Sequence, residues 1–205
     1  MKNFQLYVII DRKASGKDPL TTAREAIRGG ADIIQYRDKE ATAMEMISWG
    51  IKLRKLASEK NVTFIINDRT DVALAVGADG VHLGQDDLPI GIARKILKNK
   101  LVGISTHSLA QAIKAEKDGA DYIGVGPVYS TPTKPDYPAV GLKLIKEVSR
   151  MIKIPFVAIG GINYDNIDGV LTAGARRVAV VRAVVGARNI RLAAQRLKER
   201  LLENI

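Results

Sequence analysis

The chain has 205 residues, enough for one domain over residues 1–205, and it has no cysteine, which excludes disulfides, thiolate nucleophiles and Cys-ligated zinc. Its formal net charge is +10, but the basic residues are spread along the chain and only 5% of residues are aromatic, a composition that disfavours nucleic-acid binding. No apolar run approaches the roughly 18 residues of a membrane span and no signal-peptide cleavage site follows the first apolar stretch, so we expect a cytoplasmic protein without membrane association.

Eight short runs rich in valine and isoleucine alternate with segments of helical periodicity, a pattern typical of parallel β/α proteins. The strands are predicted over residues 4–10, 32–36, 63–67, 80–83, 101–105, 122–126, 156–159 and 178–182. The helices are predicted over residues 19–29, 41–60, 70–76, 89–98, 108–118, 141–152, 164–173 and 186–203. Eight parallel strands close a barrel, so we expect the α/β class and a single (β/α)8 TIM barrel. An open doubly wound sheet is the alternative, although it would not usually place polar clusters after nearly every strand.

A short Gly-Ala-Asp phrase recurs at residues 30–32, 77–79 and 119–121, and a degenerate copy begins at Gly174. Each copy follows a predicted helix and precedes a predicted strand. Glycine adopts the left-handed conformation that ends a helix, so the phrase marks the turn from a helix into the next buried strand. The repeat supports the alternation of helix and strand as the unit of the fold.

Cations and carboxylates follow the second, third and fourth predicted strands. Gln35, Arg37 and Lys39 alternate along an extended segment, so they point the same way and can bind one anion together. Asp68 and Asp87 follow the next two strands, and magnesium prefers one or two carboxylates together with water and phosphate oxygens. We therefore predict a site for a metal-bound diphosphate at this edge of the sheet.

These residues also have structural interpretations. The two cations have Asp38 and Glu40 as alternative partners, and Asp86 is an alternative N-cap for the helix entered through Pro89. His82 lies within a strand, where a hydrogen-bonded interior residue is the favoured interpretation.

The fifth predicted strand ends in a polar cluster. Ser105 is expected to face the mouth of the barrel, and Ser108 is expected to cap the helix that follows. His107 has the pKa range of an acid–base catalyst, although a structural role is favoured for it.

The last two strands and the longest loop predict a second anion site. Gly160 and Gly161 follow the seventh strand, and Val181 and Arg182 follow the eighth. Backbone N–H groups after these strands form the usual phosphate site of a TIM barrel. The irregular stretch over residues 126–141 contains four prolines and a lysine and fits a loop over a substrate. Two anion sites at one rim predict an enzyme that joins two phosphorylated molecules.

Several motifs of this chain resemble thiamine phosphate synthase, and they occur in order over nearly the whole chain. They are Gln-Tyr-Arg-Asp-Lys at 35–39, Asn-Asp-Arg at 67–69, the segment 80–89, Thr-Pro-Thr-Lys at 131–134 and Gly-Gly-Ile at 160–162. The resemblance implies a transferase that condenses 4-amino-5-hydroxymethyl-2-methylpyrimidine diphosphate with thiazole phosphate, giving thiamine phosphate and pyrophosphate. It also implies a dissociative substitution assisted by magnesium, with one ion per subunit.

The resemblance also implies roles for individual residues. Contacts to the pyrimidine diphosphate are implied for Gln35, Arg37, Lys39, Asn67, Ser105 and Lys134. Among these, Arg37, Lys39 and Lys134 are the implied catalytic cations, which neutralise charge on the departing diphosphate. The implied magnesium ligands are Asp68 and Asp87. Contacts to the thiazole phosphate are implied for Thr131, Pro132, Thr133, Gly161, Val181 and Arg182, although the family commonly has serine at the position of Arg182.

A thiazole tautomerase-like enzyme of the same barrel family, using His107, is the alternative function. Such relatives need not keep the pyrimidine diphosphate residues, which this chain has in full. The expected partners are small phosphorylated substrates rather than nucleic acid or a membrane, and the sequence leaves a homo-oligomer open.

Overall fold

The computed structural model describes residues 4–132 and 138–203. Its strands are β1 (Leu6–Asp11), β2 (Ile33–Arg37), β3 (Thr63–Asn67), β4 (Gly80–Leu83), β5 (Leu101–Thr106), β6 (Tyr122–Val125), β7 (Phe156–Ile159) and β8 (Val178–Val180). Its helices are α1 (Arg12–Ser15), α2 (Pro19–Arg28), α3 (Ala43–Glu59), α4 (Thr70–Ala75), α5 (Ile90–Leu97), α6 (Leu109–Lys117), α7 (Gly141–Met151), α8 (Ile167–Thr172), α9 (Arg182–Val185) and α10 (Ile190–Leu202). Within these described ranges, no helix combines the length and apolarity that a membrane span requires.

The strands form one closed parallel barrel. Each strand pairs with its neighbour in the chain, and β1 also pairs with β8. Tyr7 of β1 lies beside Ile33 of β2 on one side and beside Ala179 of β8 on the other. The predicted (β/α)8 TIM barrel is thereby confirmed, and the open sheet is excluded. Closure brings the carboxyl ends of all eight strands to one rim.

Two apolar layers stabilise the barrel, one on each face of the sheet. The outer layer packs strand residues such as Ile34 and Phe64 against the helices, and the inner layer includes Tyr7 and Tyr122. Successive residues of a strand point to opposite faces of the sheet, and both faces are buried because helices cover the outer one and side chains fill the barrel interior. A Cβ at Gly103 would lie 2.1 Å from Cζ of Tyr122, so this glycine provides the space that the tyrosine ring occupies.

The Gly-Ala-Asp phrase has a structural role at the amino-terminal end of the barrel. In each of its three full copies, the aspartate accepts a backbone N–H bond from the strand that precedes it in the chain. The distances are 2.9 Å for Asp32 and Leu6, 2.8 Å for Asp79 and Phe64, and 2.7 Å for Asp121 and Val102. The repeat therefore joins neighbouring strands at the end of the barrel opposite the predicted site.

Two short helices go beyond the predicted elements. Helix α1 follows β1 directly, and the Asp11 side chain caps it by accepting the N–H of Ala14 at 2.9 Å. Helix α9 begins at Arg182 and separates β8 from α10. Each has four residues, which is too few for a helical periodicity to be recognised in the sequence.

Several helix starts differ from the prediction, and the largest difference is that α10 begins at Ile190 rather than at residue 186. Asp86 is not the cap of α5, which begins at Ile90 without a side-chain cap. Helix α8 begins later than predicted because the Asn163 side chain accepts two backbone N–H bonds in a turn before it. Ser108 caps α6 as predicted, accepting the N–H of Gln111.

Candidate active site

The carboxyl-terminal rim of the barrel surrounds a cavity of about 460 Å³, a volume within the range of small-molecule sites. On the side of β2, β3 and β5 it is lined by Gln35, Arg37, Asn67 and Ser105. On the side of β7, β8 and the loop after β6 it is lined by Thr131, Pro132, Gly161, Val181 and Arg182. The fold thus brings nine of the predicted residues to one space, whereas Lys39, Asp68 and Asp87 are not part of the cavity lining.

The strand alternation places Gln35 deeper than the two cations that follow it. Gln35 is 2% exposed and lines the cavity from inside the barrel. Arg37 lines the cavity two residues further along, at the end of β2. Lys39 lies past the strand end, outside the cavity lining, and contacts Asp68. The three side chains therefore extend from the barrel interior to the rim.

Arg37 is oriented by Asp11, a residue that the sequence did not single out. Arg37 Nη1 donates to Asp11 Oδ2, and the two side chains are 18% and 6% exposed. The other oxygen of the Asp11 carboxylate accepts the N–H of Ala14 at the start of α1. Asp11 is fixed through both oxygens, so it restrains the guanidinium. Arg37 retains further N–H donors with which to bind phosphate oxygens.

Asp68 and Asp87 lie close together at the ends of β3 and β4. Lys39 donates to the Asp68 carboxylate, and Asp87 Oδ2 accepts the N–H of Gly84 at 2.7 Å. Burial raises the pKa of the Asp87 carboxyl, the Gly84 hydrogen bond opposes this shift, and the neighbouring Asp68 raises the pKa further. Two carboxylates in contact repel each other when both are ionised, which favours a bound cation.

The backbone of Asp68 helps to place its carboxylate. Its φ is +60°, in the left-handed region that few residues other than glycine and Asn or Asp adopt. Its N–H donates to the carbonyl oxygen of His82 at 2.8 Å. This bond joins the end of β3 to β4 and holds Asp68 near Lys39 and Asp87.

The donor set of this pair suits magnesium. In the part of the chain that the structure describes, no group of three or more His, Asp or Glu side chains could hold a metal ion. Two carboxylates are sufficient for magnesium when water and substrate phosphate oxygens supply its other ligands. The pair therefore fits a metal that binds together with a phosphorylated substrate.

A glycine-containing loop follows β7 on the opposite side of the cavity. Gly161 has φ +66°, and a Cβ there would lie 2.7 Å from Cβ of Tyr129, so the position requires glycine. The side chain of Asn166 donates to the Gly161 carbonyl oxygen at 2.9 Å. Arg182 is an exposed cation at the start of α9, beside this loop in the cavity lining. Thr133 and Lys134, the other two predicted residues of this region, lie outside the described residues.

Two further predictions concern the histidines. His82 is hydrogen-bonded inside the barrel, as predicted, but it also lines the cavity. His107 lines the cavity, and its Nδ1 contacts the carbonyl oxygen of Gly126. The structural role favoured for His107 stays a prediction, with the acid–base role as the alternative.

The sequence did not predict that tyrosines lie beneath the site. Tyr7 donates to or accepts from Tyr122 across the barrel at 3.0 Å, and both rings are buried in the inner layer. Their positions at the second residue of β1 and the first residue of β6 alternate with outward-facing residues. This alternation was the available signal, but it does not identify which strands face each other.

Comparisons with known proteins agree on one family. Residues 6–184 match the family described as thiamine monophosphate synthase. The chain is 48% identical to a thiamine-phosphate synthase of Chloroflexus aurantiacus over 96% of this chain and 92% of that protein. It is 47% identical to a thiamine-phosphate synthase of Shouchella clausii, covering 96% of both chains. The solved thiamine phosphate pyrophosphorylase of Pyrococcus furiosus superposes with a TM-score of 0.93 at 44% identity, covering 98% of this chain and 97% of that one.

Proposed function

Because the chain belongs to the thiamine monophosphate synthase family, we propose that it condenses 4-amino-5-hydroxymethyl-2-methylpyrimidine diphosphate with thiazole phosphate to give thiamine phosphate and pyrophosphate. The observation that carries the proposal is near-full-length identity of 44–48% to synthases, together with a single cavity that predicted binding residues line from both sides. Small phosphorylated substrates as partners and a cytoplasmic location are part of the same proposal.

The pyrimidine diphosphate is assigned to the side of the cavity formed by β2, β3 and β5. Gln35, Asn67 and Ser105 line this side with uncharged polar groups, which suit polar atoms of the ring. Arg37 lies nearer the rim, where its guanidinium suits the diphosphate, and Asp11 keeps it there. Lys39 and, from the resemblance, Lys134 add positive charge for the same group.

Magnesium is assigned to Asp68 and Asp87. These residues would hold the ion, which when bound supplies positive charge that stabilises the leaving diphosphate. In the structure Lys39 donates a hydrogen bond to the Asp68 carboxylate, and the phosphate groups of a ligand would compete with Asp68 for this lysine. The pair and the lysine therefore suit a site in which metal and diphosphate bind together.

The thiazole phosphate is assigned to the loops after β6, β7 and β8. Gly161 and Val181 offer backbone N–H groups, and Thr131 offers a hydroxyl. Arg182 adds a cation where the family commonly has serine. The restrained Gly161 loop would hold the phosphate so that the thiazole nitrogen faces the pyrimidine.

The proposed reaction requires positioning and charge rather than a strong base. The C–O bond to the diphosphate breaks and its electrons leave with pyrophosphate. The resulting benzyl-like cation is stabilised by the amino group of the pyrimidine, and the lone pair of the thiazole nitrogen then forms the C–N bond. The cations Arg37 and Lys39 would stabilise the departing charge, while the barrel interior holds the ring in place.

Incubation of the purified chain with both precursors and magnesium tests the proposal. We expect thiamine phosphate and pyrophosphate in equal amounts, measured by chromatography, and loss of both with excess EDTA. Product formation that is unaffected by EDTA would contradict the metal assignment, and absence of product would contradict the synthase function.

The tautomerase alternative is favoured only by the position of His107 in the cavity lining. His107→Ala and Asp68→Ala separate the two functions. We expect Asp68→Ala to remove condensation and His107→Ala to retain most of it. The reverse result, with isomerisation of a thiazole phosphate carboxylate by the unaltered chain, would establish the alternative.

A further inference from the structure

A chain of hydrogen bonds runs through the barrel interior beneath the cavity and connects two of the proposed pyrimidine contacts. Gln35 Nε2 donates to Tyr7 Oη at 2.5 Å, and Tyr7 Oη lies 3.0 Å from Tyr122 Oη. Tyr122 Oη lies 3.1 Å from His82 Nδ1, and His82 Nε2 lies 3.0 Å from Ser105 Oγ. Four contacts therefore link side chains of β1, β2, β4, β5 and β6.

The first bond sets the direction of the others. Each tyrosine has one hydroxyl proton, and a buried hydroxyl whose proton has no acceptor is costly. Tyr7 accepts from Gln35, so it satisfies its own proton by donating to Tyr122. Tyr122 then donates to His82 Nδ1, which must be unprotonated to accept. His82 consequently carries its proton on Nε2 and donates it to Ser105 Oγ.

The surroundings keep both tyrosine protons in place. Tyr7 is 2% exposed and Tyr122 is 0% exposed. Burial raises the pKa of both phenols well above their ordinary value. Both hydroxyls therefore keep their protons at neutral pH and can act as donors.

We propose that Tyr7, Tyr122 and His82 are positioning residues. Tyr122 and His82 fix Ser105 as a hydrogen-bond donor towards the substrate ring, and Tyr7 fixes Gln35 as an acceptor. The inference rests on the proposed function for the identity of that ring. Because Ser105 Oγ accepts from His82, its own proton is directed to another acceptor, and the cavity is beside it. Because Gln35 uses Nε2 for Tyr7, its Oε1 is the atom that it offers to the cavity.

This polarity selects one class of ring and one orientation. The ring must present an acceptor nitrogen to Ser105 and a donor such as an exocyclic amine to Gln35. An aminopyrimidine has both groups, whereas the corresponding hydroxypyrimidine in its oxo tautomer presents an exocyclic carbonyl acceptor and a protonated ring nitrogen instead. If every hydrogen bond ran in the opposite direction, Ser105 would donate to His82 and the Gln35 amide would be rotated to exchange Oε1 and Nε2. Ser105 would then accept from the ring and Gln35 would donate to it, so an aminopyrimidine would bind in the opposite orientation.

The tautomer of His82 tests the direction of the hydrogen bonds between Gln35 and Ser105, and it does so without a measurement of activity. The chain has two histidines, so 15N NMR of the histidine-labelled wild-type protein gives a spectrum that a His107→Gln variant can assign. We expect His82 with a protonated Nε2 and an unprotonated Nδ1. A protonated Nδ1, in a neutral or a doubly protonated ring, would overturn the proposal whether or not the chain makes thiamine phosphate.

Kinetics test whether Tyr122 acts through Ser105. We expect Tyr122→Phe to lower kcat/KM for the pyrimidine diphosphate about tenfold, the effect of one lost hydrogen bond, without changing KM for thiazole phosphate. We expect Ser105→Ala to cost little more in the Tyr122→Phe background, because both changes remove the same donor. Fully multiplicative effects of the two substitutions would show that Tyr122 does not act through Ser105.

Two further variants control for folding. Tyr36→Phe removes a hydroxyl from a buried tyrosine of β2 that packs in the outer layer, and we expect wild-type kinetics from it. Tyr7→Phe breaks the chain of hydrogen bonds at its other end and should reproduce the kinetic loss of Tyr122→Phe. If Tyr122→Phe fails to fold, the proposal is tested by the kinetics of Tyr7→Phe and by the His82 tautomer of the wild-type protein. Wild-type kinetics from a folded Tyr7→Phe variant would overturn the proposal. An inactive wild-type chain would instead contradict the proposed function.

Discussion

The two ends of the barrel carry aspartates in opposite surroundings. Those at the amino-terminal end accept backbone N–H bonds from a neighbouring strand, and each also pairs with a basic side chain of a helix. The pairs are Asp32 with Lys198, Asp79 with Arg54 and Asp121 with Arg94, each at 2.7 Å. These carboxylates therefore connect the strands to one another and to the helices outside them.

At the carboxyl-terminal end, the side chains of Asp11 and Asp87 accept only local backbone N–H bonds among those described. Asp11 and Asp87 accept N–H groups three residues away in the chain. Their remaining contacts are with charged groups of the candidate site: Asp11 with Arg37, and Asp87 with Asp68. Asp11 thus restrains the Arg37 guanidinium, and Asp87 and Asp68 repel each other, whereas none of these carboxylates accepts a backbone N–H from a neighbouring strand in the described part of the chain.

The comparison teaches that one residue type serves two purposes in a TIM barrel. At one end its hydrogen-bonding capacity stabilises the fold, and at the other its charge is available for ligands. Substitutions at the two ends should therefore separate stability from activity.

The largest expected effect is at the carboxyl-terminal end. Asp87→Ala should lower turnover by about 100-fold or more, the loss typical of removing one group that stabilises transition-state charge. The melting temperature should change little, because the lost backbone bond is a local one to Gly84. Steady-state kinetics with saturating magnesium and a thermal melt measure the two effects, and wild-type turnover would contradict the assignment of Asp87.

The complementary effect is expected at the amino-terminal end. Asp121→Ala leaves the Val102 N–H without its side-chain acceptor and removes one of several acceptors of the Arg94 guanidinium, which should cost about 1–3 kcal/mol of the free energy of unfolding. For a chain of this length that corresponds to a fall in Tm of about 2–4 °C per kcal/mol. Turnover at 25 °C should be unchanged.

A nearby aspartate provides the matched control for Asp121→Ala. Asp118, the C-cap of α6, pairs with Lys114 of the same helix, and we expect Asp118→Ala to change stability by less than about 0.5 kcal/mol. Equal destabilisation by the two variants would show that bonding to the neighbouring strand is not the source of the effect.

A smaller effect is expected where a cap and a site residue coincide. Asp11→Asn keeps a good N-cap for α1 but removes the charge that restrains Arg37. We expect kcat/KM for the pyrimidine diphosphate to fall about tenfold with little loss of stability. Asp18→Asn makes the same change at the N-cap of α2, away from the cavity, and should leave the kinetics unaltered.

The smallest effect is expected at Arg182. Because this side chain is exposed, Arg182→Ser should raise KM for thiazole phosphate only about threefold and leave KM for the pyrimidine diphosphate unchanged. Arg188→Ser removes the same charge from an exposed position outside the cavity lining and should change neither constant. An effect confined to the pyrimidine diphosphate would place Arg182 on the wrong side of the cavity.

The sequence was most informative about the barrel and the polar ends of its strands. All eight predicted strands are confirmed, because a strand buried on both faces is a continuous Val and Ile run. The loop after β7 was also recognisable, since Gly160 and Gly161 have positive φ and few other residues tolerate that conformation.

The sequence was least informative about side chains that act on other side chains. Asp11 lies one residue past the predicted first strand, and its contact with Arg37 follows from the pairing of β1 with β2. Asp86 was considered as a helix cap, but α5 begins without one. Alternation along one strand indicates which face a residue occupies, but not what lies opposite.

The sequence by itself determined which segments are strands, where they end and which charges follow them, because burial and turn chemistry are local properties of a chain. Only the tertiary structure decided which of these charges meet. Tyr7 and Tyr122 are 115 residues apart in the chain, and their hydroxyls are 3.0 Å apart in space. A contact of this kind exists only because the barrel closes, and its closure is a property of all eight strands together.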